Sequence, residues 1–259
     1  GLGTSFDKLN PFTLKGITAP GVAELMFDSL LAASSDEPAS AYGLLAQDVR
    51  VAADGRSATF VLNASARFSD GSPVLALDVK YAFDTLMGPQ ASPLWRTVYQ
   101  RVTRAVVVDA RTVRFEFAEP NAELPLLVGS LPIFSHNSCR QADGSFVPFS
   151  QLSRTPLLGS GPYRIEGVDY GRSIRFVRNR AWWAQNLNVR RGMYNFDRIV
   201  YRMYRDDTAK IEAFKAGEFD AAIEARAKIW ARSYDGPRFR DGTLRKQEFV
   251  HQNGAGTQG

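Results

Sequence analysis

Phe68-Ser69-Asp70-Gly71-Ser72-Pro73 leads straight into Val74-Leu75-Ala76-Leu77-Asp78-Val79-Lys80-Tyr81-Ala82-Phe83-Asp84-Thr85-Leu86-Met87. Asp-Gly and Ser-Pro punctuate a turn, because glycine takes positive φ and proline fixes its own φ. Beyond it Leu75, Val79, Phe83, Leu86 and Met87 recur at helical intervals, which predicts an amphipathic helix over 75–87 with Asp78, Lys80 and Asp84 on its polar face.

On either side of this turn and helix the pattern changes to strands. Residues 49–62 hold two β-type runs around Ala53-Asp54-Gly55, a hairpin signal. Residues 105–108 and 112–117 repeat that chemistry around Asp109-Ala110-Arg111. Upstream, Val22, Leu25, Met26, Leu30 and Leu31 predict a short helix over 20–31, with Pro20 in its first turn. Downstream, the polar stretch 135–155 reads as a surface excursion before Gly161. Residues 163–177 and 196–204 alternate β-branched or aromatic side chains with arginine, as half-buried strands do. Asp207 then caps a helix over 208–216 that stops at Gly217, and 219–223 reads as a strand leaving it. Hairpins mixed with helices indicate an α/β or α+β architecture and exclude a repeat array or a helical bundle.

The 259 residues are 44% hydrophobic, the composition of a packed globule, and no apolar run approaches the roughly 18 residues needed to span a bilayer. The chain opens on Gly1 with no initiator Met or leader and is read as processed or cut. Cys139 is the single cysteine, so an internal disulfide is excluded. The net charge of +5 fits a partner such as nucleic acid, anionic lipid or an acidic ligand, and equally fits simple solubility.

Catalytic chemistry is hard to find. His136 and His251 are the only histidines, both in polar segments read as exposed, so nucleophile, base and orienting group do not assemble. Gly159-Ser160-Gly161 lacks the spacing of a nucleophile elbow or a phosphate loop and reads as a tight turn before a strand. Asp36-Glu37 and Asp206-Asp207 are sequence neighbours whose side chains point apart; capping and solvation account for them. Two distant histidines and one cysteine give no metal-ligand cluster. Nine arginines between Arg172 and Arg205 interleave with Trp182, Trp183 and Tyr194, as a single-stranded nucleic-acid surface would, yet acidic residues break the run.

Several stretches resemble the extracellular solute-binding proteins of ABC importers, the family of oligopeptide-, dipeptide- and nickel-binding proteins. They are the turn and helix quoted above, Phe27-Asp28-Ser29-Leu30, Gly159-Ser160-Gly161-Pro162-Tyr163, and Ala213-Phe214-Lys215-Ala216-Gly217-Glu218-Phe219-Asp220. A narrower resemblance, to the subgroup associated with oligopeptide and microcin C uptake, rests on Asp36-Glu37-Pro38, Tyr42-Gly43-Leu44-Leu45-Ala46, Asn195-Phe196-Asp197 and Tyr204-Arg205-Asp206-Asp207-Thr208. Leu75 departs from the family's Ser or Thr at the helix opening and removes a cap worth about 1 kcal/mol.

The resemblance implies an α/β (mixed α+β) fold of the periplasmic-binding-protein-like class II, cluster C type, here its first lobe with the extra N-terminal subdomain. The implied division is 1–40 as the first segment of lobe I, 41–155 as the inserted α+β subdomain, and 156–259 as the returning segment. The second lobe is expected to be missing, because the chain ends at 252–259 where relatives continue.

The implied role is that of a substrate-binding component, not an enzyme. It would bind an oligopeptide or peptide-like ligand in the periplasm, without cofactor or metal, and deliver it as a monomer to the permease and ATPase subunits of the inner membrane. Nucleic acid is not an expected partner. The rival readings are a basic nucleic-acid or anionic-surface binding module and an unrecognised hydrolase. By resemblance Thr4, Ser5, Phe6 and Asp7, with Phe27, line the cleft side of the lobe. Glu224, Arg226 and Trp230 are added because they follow the predicted strand and place a charge pair and an aromatic where a cleft wall belongs. For each a plainer role stands beside this one: Phe6 and Phe27 as core, Glu224 and Arg226 as a surface pair, Trp230 as packing.

Overall fold

The structure is a computed structural model that describes residues 5–34, 37, 39–141 and 143–248. After an irregular loop at 5–19, the chain forms helix α1 (Val22–Met26) and a two-stranded antiparallel pair, β1 (Leu31–Ala33) with β2 (Ala41–Gly43). The predicted 20–31 helix is therefore cut short. Gly21, at φ 80°, is its N-cap, so Pro20 lies outside the first turn, and Phe27 is already extended. The Met26 carbonyl accepts from the Gly161 N–H instead of continuing the helix.

A four-stranded antiparallel sheet follows, in the order β3 (Ala46–Val51), β4 (Ser57–Leu62), β6 (Thr112–Phe117), β5 (Val102–Asp109). Both predicted hairpins are present, and their turns are closed by Asp54 Oδ1 accepting from Arg56 N and Asp109 Oδ1 accepting from Arg111 N. On β4 and β6 every second residue is buried: Ala58, Phe60 and Leu62, then Val113, Phe115 and Phe117. Helix α2 (Ala76–Met87) lays Val79, Phe83 and Leu86 on that face, with the Phe83 and Phe115 rings 5.6 Å apart. Helices α3 (Pro93–Val98) and α4 (Leu124–Gly129) complete this part.

Asp78, predicted on the polar face, is only 1% exposed. Its Oδ2 accepts from Leu75 N at 2.8 Å, and its Oδ1 takes His136 N at 2.9 Å and lies 2.7 Å from His136 Nδ1. Half of a capping box thus survives the loss of the Ser or Thr hydroxyl at position 75. It also places His136 against a buried carboxylate, not in open solvent. The excursion at 135–155 is likewise anchored at both ends: Ser135, Cys139, Phe149 and Leu152 are buried, while residues 143–146 are exposed.

The chain returns through Gly159 and Gly161, which press on the end of α1. A Cβ at Gly159 would stand 1.9 Å from the Met26 carbonyl oxygen, so this turn needs glycine for close approach. Strands β7 (Tyr163–Asp169), β8 (Ser173–Arg178) and β9 (Arg198–Arg202) form a second antiparallel sheet. Helix α5 (Asp207–Ala216) is capped by Asp206, whose carboxylate accepts from Ala209 N, one residue before the predicted cap; Gly217 ends it at φ 83°. The predicted strand at 219–223 does not form. Phe219 turns back onto Phe214, at 5.3 Å between ring centroids, and Ile223 is 93% exposed with no neighbouring strand among the described residues to take its backbone groups. Helices α6 (Ala227–Ser233) and α7 (Pro237–Arg240) then close a small core of Ile211, Phe214 and Tyr234.

Candidate ligand groove

The loop at 5–19 is irregular but densely bonded. Asp7 N and Lys8 N both donate to the Ile17 carbonyl, Ile17 N donates back to Asp7 Oδ1 at 2.6 Å, and Ala19 N donates to Lys8 O. Gly16, at φ 97°, makes the wrap possible, since a Cβ there would meet Asp7 Oδ1 at 2.6 Å. Inside the loop Asn10 Oδ1 accepts from Phe12 N, and the buried Lys8 ammonium donates to Thr13 O at 2.7 Å. Burial pulls the Lys8 pKa below its ordinary value, with Asp7 opposing the shift. Leu9 N and Asn10 N both donate to Ser153 O, which fastens the loop to the end of the excursion.

Between these two walls lies a groove of about 620 Å³, bordered by Asp7, Lys15, Gln90, Ser150 and Arg154 among others. The loop is seated on the core by Phe12, which packs on Phe27, Phe134 and Trp95 at centroid distances of 5.2, 5.2 and 5.7 Å. Arg154 is held from two sides, its Nε donating to the Asp7 carbonyl and its guanidinium lying 4.7 Å from the centre of the Tyr170 ring.

The sequence-predicted residues fall into two places. Thr4 lies outside the described residues. Ser5 and Asp7 are exposed, and Asp7 borders the groove. Phe6 and Phe27 are 2% and 8% exposed, so they act from below as packing. Glu224, Arg226 and Trp230 do not border the groove. Glu224 and Arg226 form a network with Asp207 and Lys210: Arg226 bonds both carboxylates, and Lys210 Nζ is 3.3 Å from Asp207 Oδ1 and 3.6 Å from Glu224 Oε2. Arg226 holds both carboxyls below their usual range. Trp230 packs on Tyr234 and lies under the Lys246 ammonium. Lys15, Gln90, Ser150 and Arg154 went unread in the sequence. Arg154 and Asp7 are 147 positions apart, and no local pattern links them.

Beside α1 is a second polar knot. Asp28 is buried and accepts from Trp182 Nε1 at 3.3 Å and Trp183 Nε1 at 3.0 Å. Burial raises its pKa to about 6, against the pull of those indole donors and of Arg190. Among the described residues no group of His, Cys, Asp and Glu is placed to hold a metal ion. What the groove offers is hydrogen bonding and charge on a fixed frame.

The family model of the bacterial extracellular solute-binding proteins, family 5 Middle, matches residues 40–257. The chain belongs to this family. Family 5 is one of solute-binding proteins, not enzymes, and its members are extracytoplasmic. Similar to this family 5 chain is the Escherichia coli (strain K12) protein YejA, 39% identical over 257 residues, 99% of this chain and 41% of that one. So is the Agrobacterium fabrum protein described as "Probable peptide-binding protein YejA", 36% identical over 248 residues, 95% of this chain and 40% of its relative. The chain spans about two fifths of the length of these relatives. In fold it is similar to NikA from Brucella suis, solved with Fe(III)-EDTA, with a TM-score of 0.68, 23% identity, and coverage of 85% of this chain and 42% of NikA. Among the described residues no helix is long and apolar enough to cross a membrane.

Proposed function

We propose that this family 5 chain supplies one lobe of the substrate-binding component of an ABC importer that carries oligopeptides or peptide-like solutes. The observation that carries the reading is the Asp7 loop, a hydrogen-bonded frame that borders a groove large enough for several residues of an extended chain. Such a frame suits ligands held through their backbones, where polar groups at fixed positions tolerate varied side chains. The resemblance to a relative described as peptide-binding supports the same class.

In this reading residues 1–40 and 156–259 form the lobe and 41–155 the inserted subdomain; the separate sheets β3-β4-β6-β5 and β7-β8-β9 support that division. Thr4, Ser5 and Asp7 meet the ligand, Phe6 and Phe27 fix their loop, and Glu224, Arg226 and Trp230 wall a second patch. The protein works as a monomer in the periplasm, and a second lobe closes over the ligand before permease and ATPase subunits take it. Closure is a population shift driven by tighter binding to the closed form. The test is calorimetric titration of the full-length protein with a mixed tetrapeptide pool, alongside peptide uptake by cells lacking the gene. Saturable binding and lost uptake are expected; absence of both overturns the reading.

A further inference from the structure

We propose that the groove selects ligands bearing an acidic group, either a peptide's free C-terminal carboxylate or an Asp or Glu side chain, which Lys15 and Arg154 receive. The proposal rests on the peptide-carrier reading and deepens it.

The ionisable groups on the groove are Asp7, Lys8, Lys15 and Arg154, three cations against one anion. Two of the four are already engaged. Asp7 gives one carboxylate oxygen to Ile17 N, and the Lys8 ammonium is turned under the loop onto Thr13 O. Lys15 is exposed, and neither it nor Arg154 forms an ion pair among the described residues. Arg154 is nonetheless oriented, by its bond to the Asp7 carbonyl and by the Tyr170 ring. A guanidinium held in one plane, with its terminal N–H groups unspent, matches the geometry of a carboxylate.

The neutral groups lean the same way. Gln90 Oε1 accepts from Ser150 N, so the amide that remains to Gln90 is its donor end. Ser153 O is taken by Leu9 N and Asn10 N, Thr13 O by Lys8, and the Asp7 carbonyl by Arg154. Several carbonyl acceptors around the groove are thus taken within the protein, while the Gln90 amide, the Lys15 ammonium and the terminal Arg154 N–H groups stay available as donors. A ligand ammonium entering here would meet three cations against the single Asp7 carboxylate, whereas a carboxylate would meet both positive charge and donors.

Calorimetric titration of the full-length protein with matched tetrapeptides tests this: free acids against C-terminal amides, and an internal Glu against Gln and Lys. Acidic members are expected to bind at least about tenfold tighter, in line with charge-assisted hydrogen bonds. The preference should fall to within about threefold in Lys15→Gln/Arg154→Gln, and partway in Lys15→Gln alone, whose exposed side chain the fold does not need. Lys80→Gln, on the outer face of α2 beside Asp84, controls for the general positive field and should keep the full preference. Equal affinity for acids and amides overturns the inference and leaves peptide carriage standing. So does a preference that survives the double substitution or falls equally in Lys80→Gln. No binding by any peptide overturns the carrier reading and the inference with it.

Discussion

Asp28 carries a carboxyl that folding makes harder to ionise. Its pKa stands near 6 in the folded chain, against about 4 in an unfolded one. A group with a raised folded pKa adds stability that is complete below its unfolded value and lost as pH climbs through the folded one. The chain should therefore gain stability on acidification from pH 7 to pH 5, with Asp28 supplying about 1 kcal/mol over that interval. Asp28→Asn keeps an acceptor for the indole N–H groups and should flatten that rise, which melting at the two pH values checks. An unchanged slope would remove Asp28 from the explanation. Gly16→Ala tests the loop at the same scale: a left-handed backbone and the contact with Asp7 should cost about 1–3 kcal/mol and weaken ligand binding. Denaturant melts and titration measure the two effects separately. The need for glycine at 16 was not legible in the sequence, because it arises from Asp7 folding back across eight intervening residues.

Helix α2 joins the quoted turn to the sheet, and its two faces answer to different forces. Phe83→Ala removes a ring packed on Phe115 and Tyr99 and should destabilise by about 3–5 kcal/mol. Asp78→Ala strands Leu75 N and the His136 backbone N–H and should cost about 3 kcal/mol, whereas Asp78→Asn should cost less. Urea midpoints of the three variants give the order. Elements with strong periodicity and their own turn residues were legible: α2, both hairpins of the first sheet and the Gly217 stop all stand where the pattern puts them. Elements settled by distant partners were not. The 20–31 helix lost its second half to the glycine turn at 159–161, and 219–223 lacked a strand beside it. Asp78 had the spacing of a surface residue, and only a partner 58 positions away buries it.

For the whole molecule, the proposed closure of two lobes predicts a smaller particle. Small-angle scattering of the full-length protein should show a lower radius of gyration once a bound peptide saturates it, and an unchanged radius would argue against hinge closure. The family was legible because its motifs are short-range turns and helix ends, which survive in order along the chain. The groove was only half legible. Asp7 was expected near a cleft by resemblance, but Lys15, Gln90 and Arg154 come together through folding alone, from three separate segments.

The shared acceptor at Ser153 has a consequence for how such a protein can change over generations. By taking both Leu9 N and Asn10 N, it ties the opening loop to the end of the 135–155 excursion. The two walls of the groove are sewn together at the neck of that excursion, so its far parts are free to drift. The exposed tip at 143–146 can vary in sequence or length without disturbing either wall.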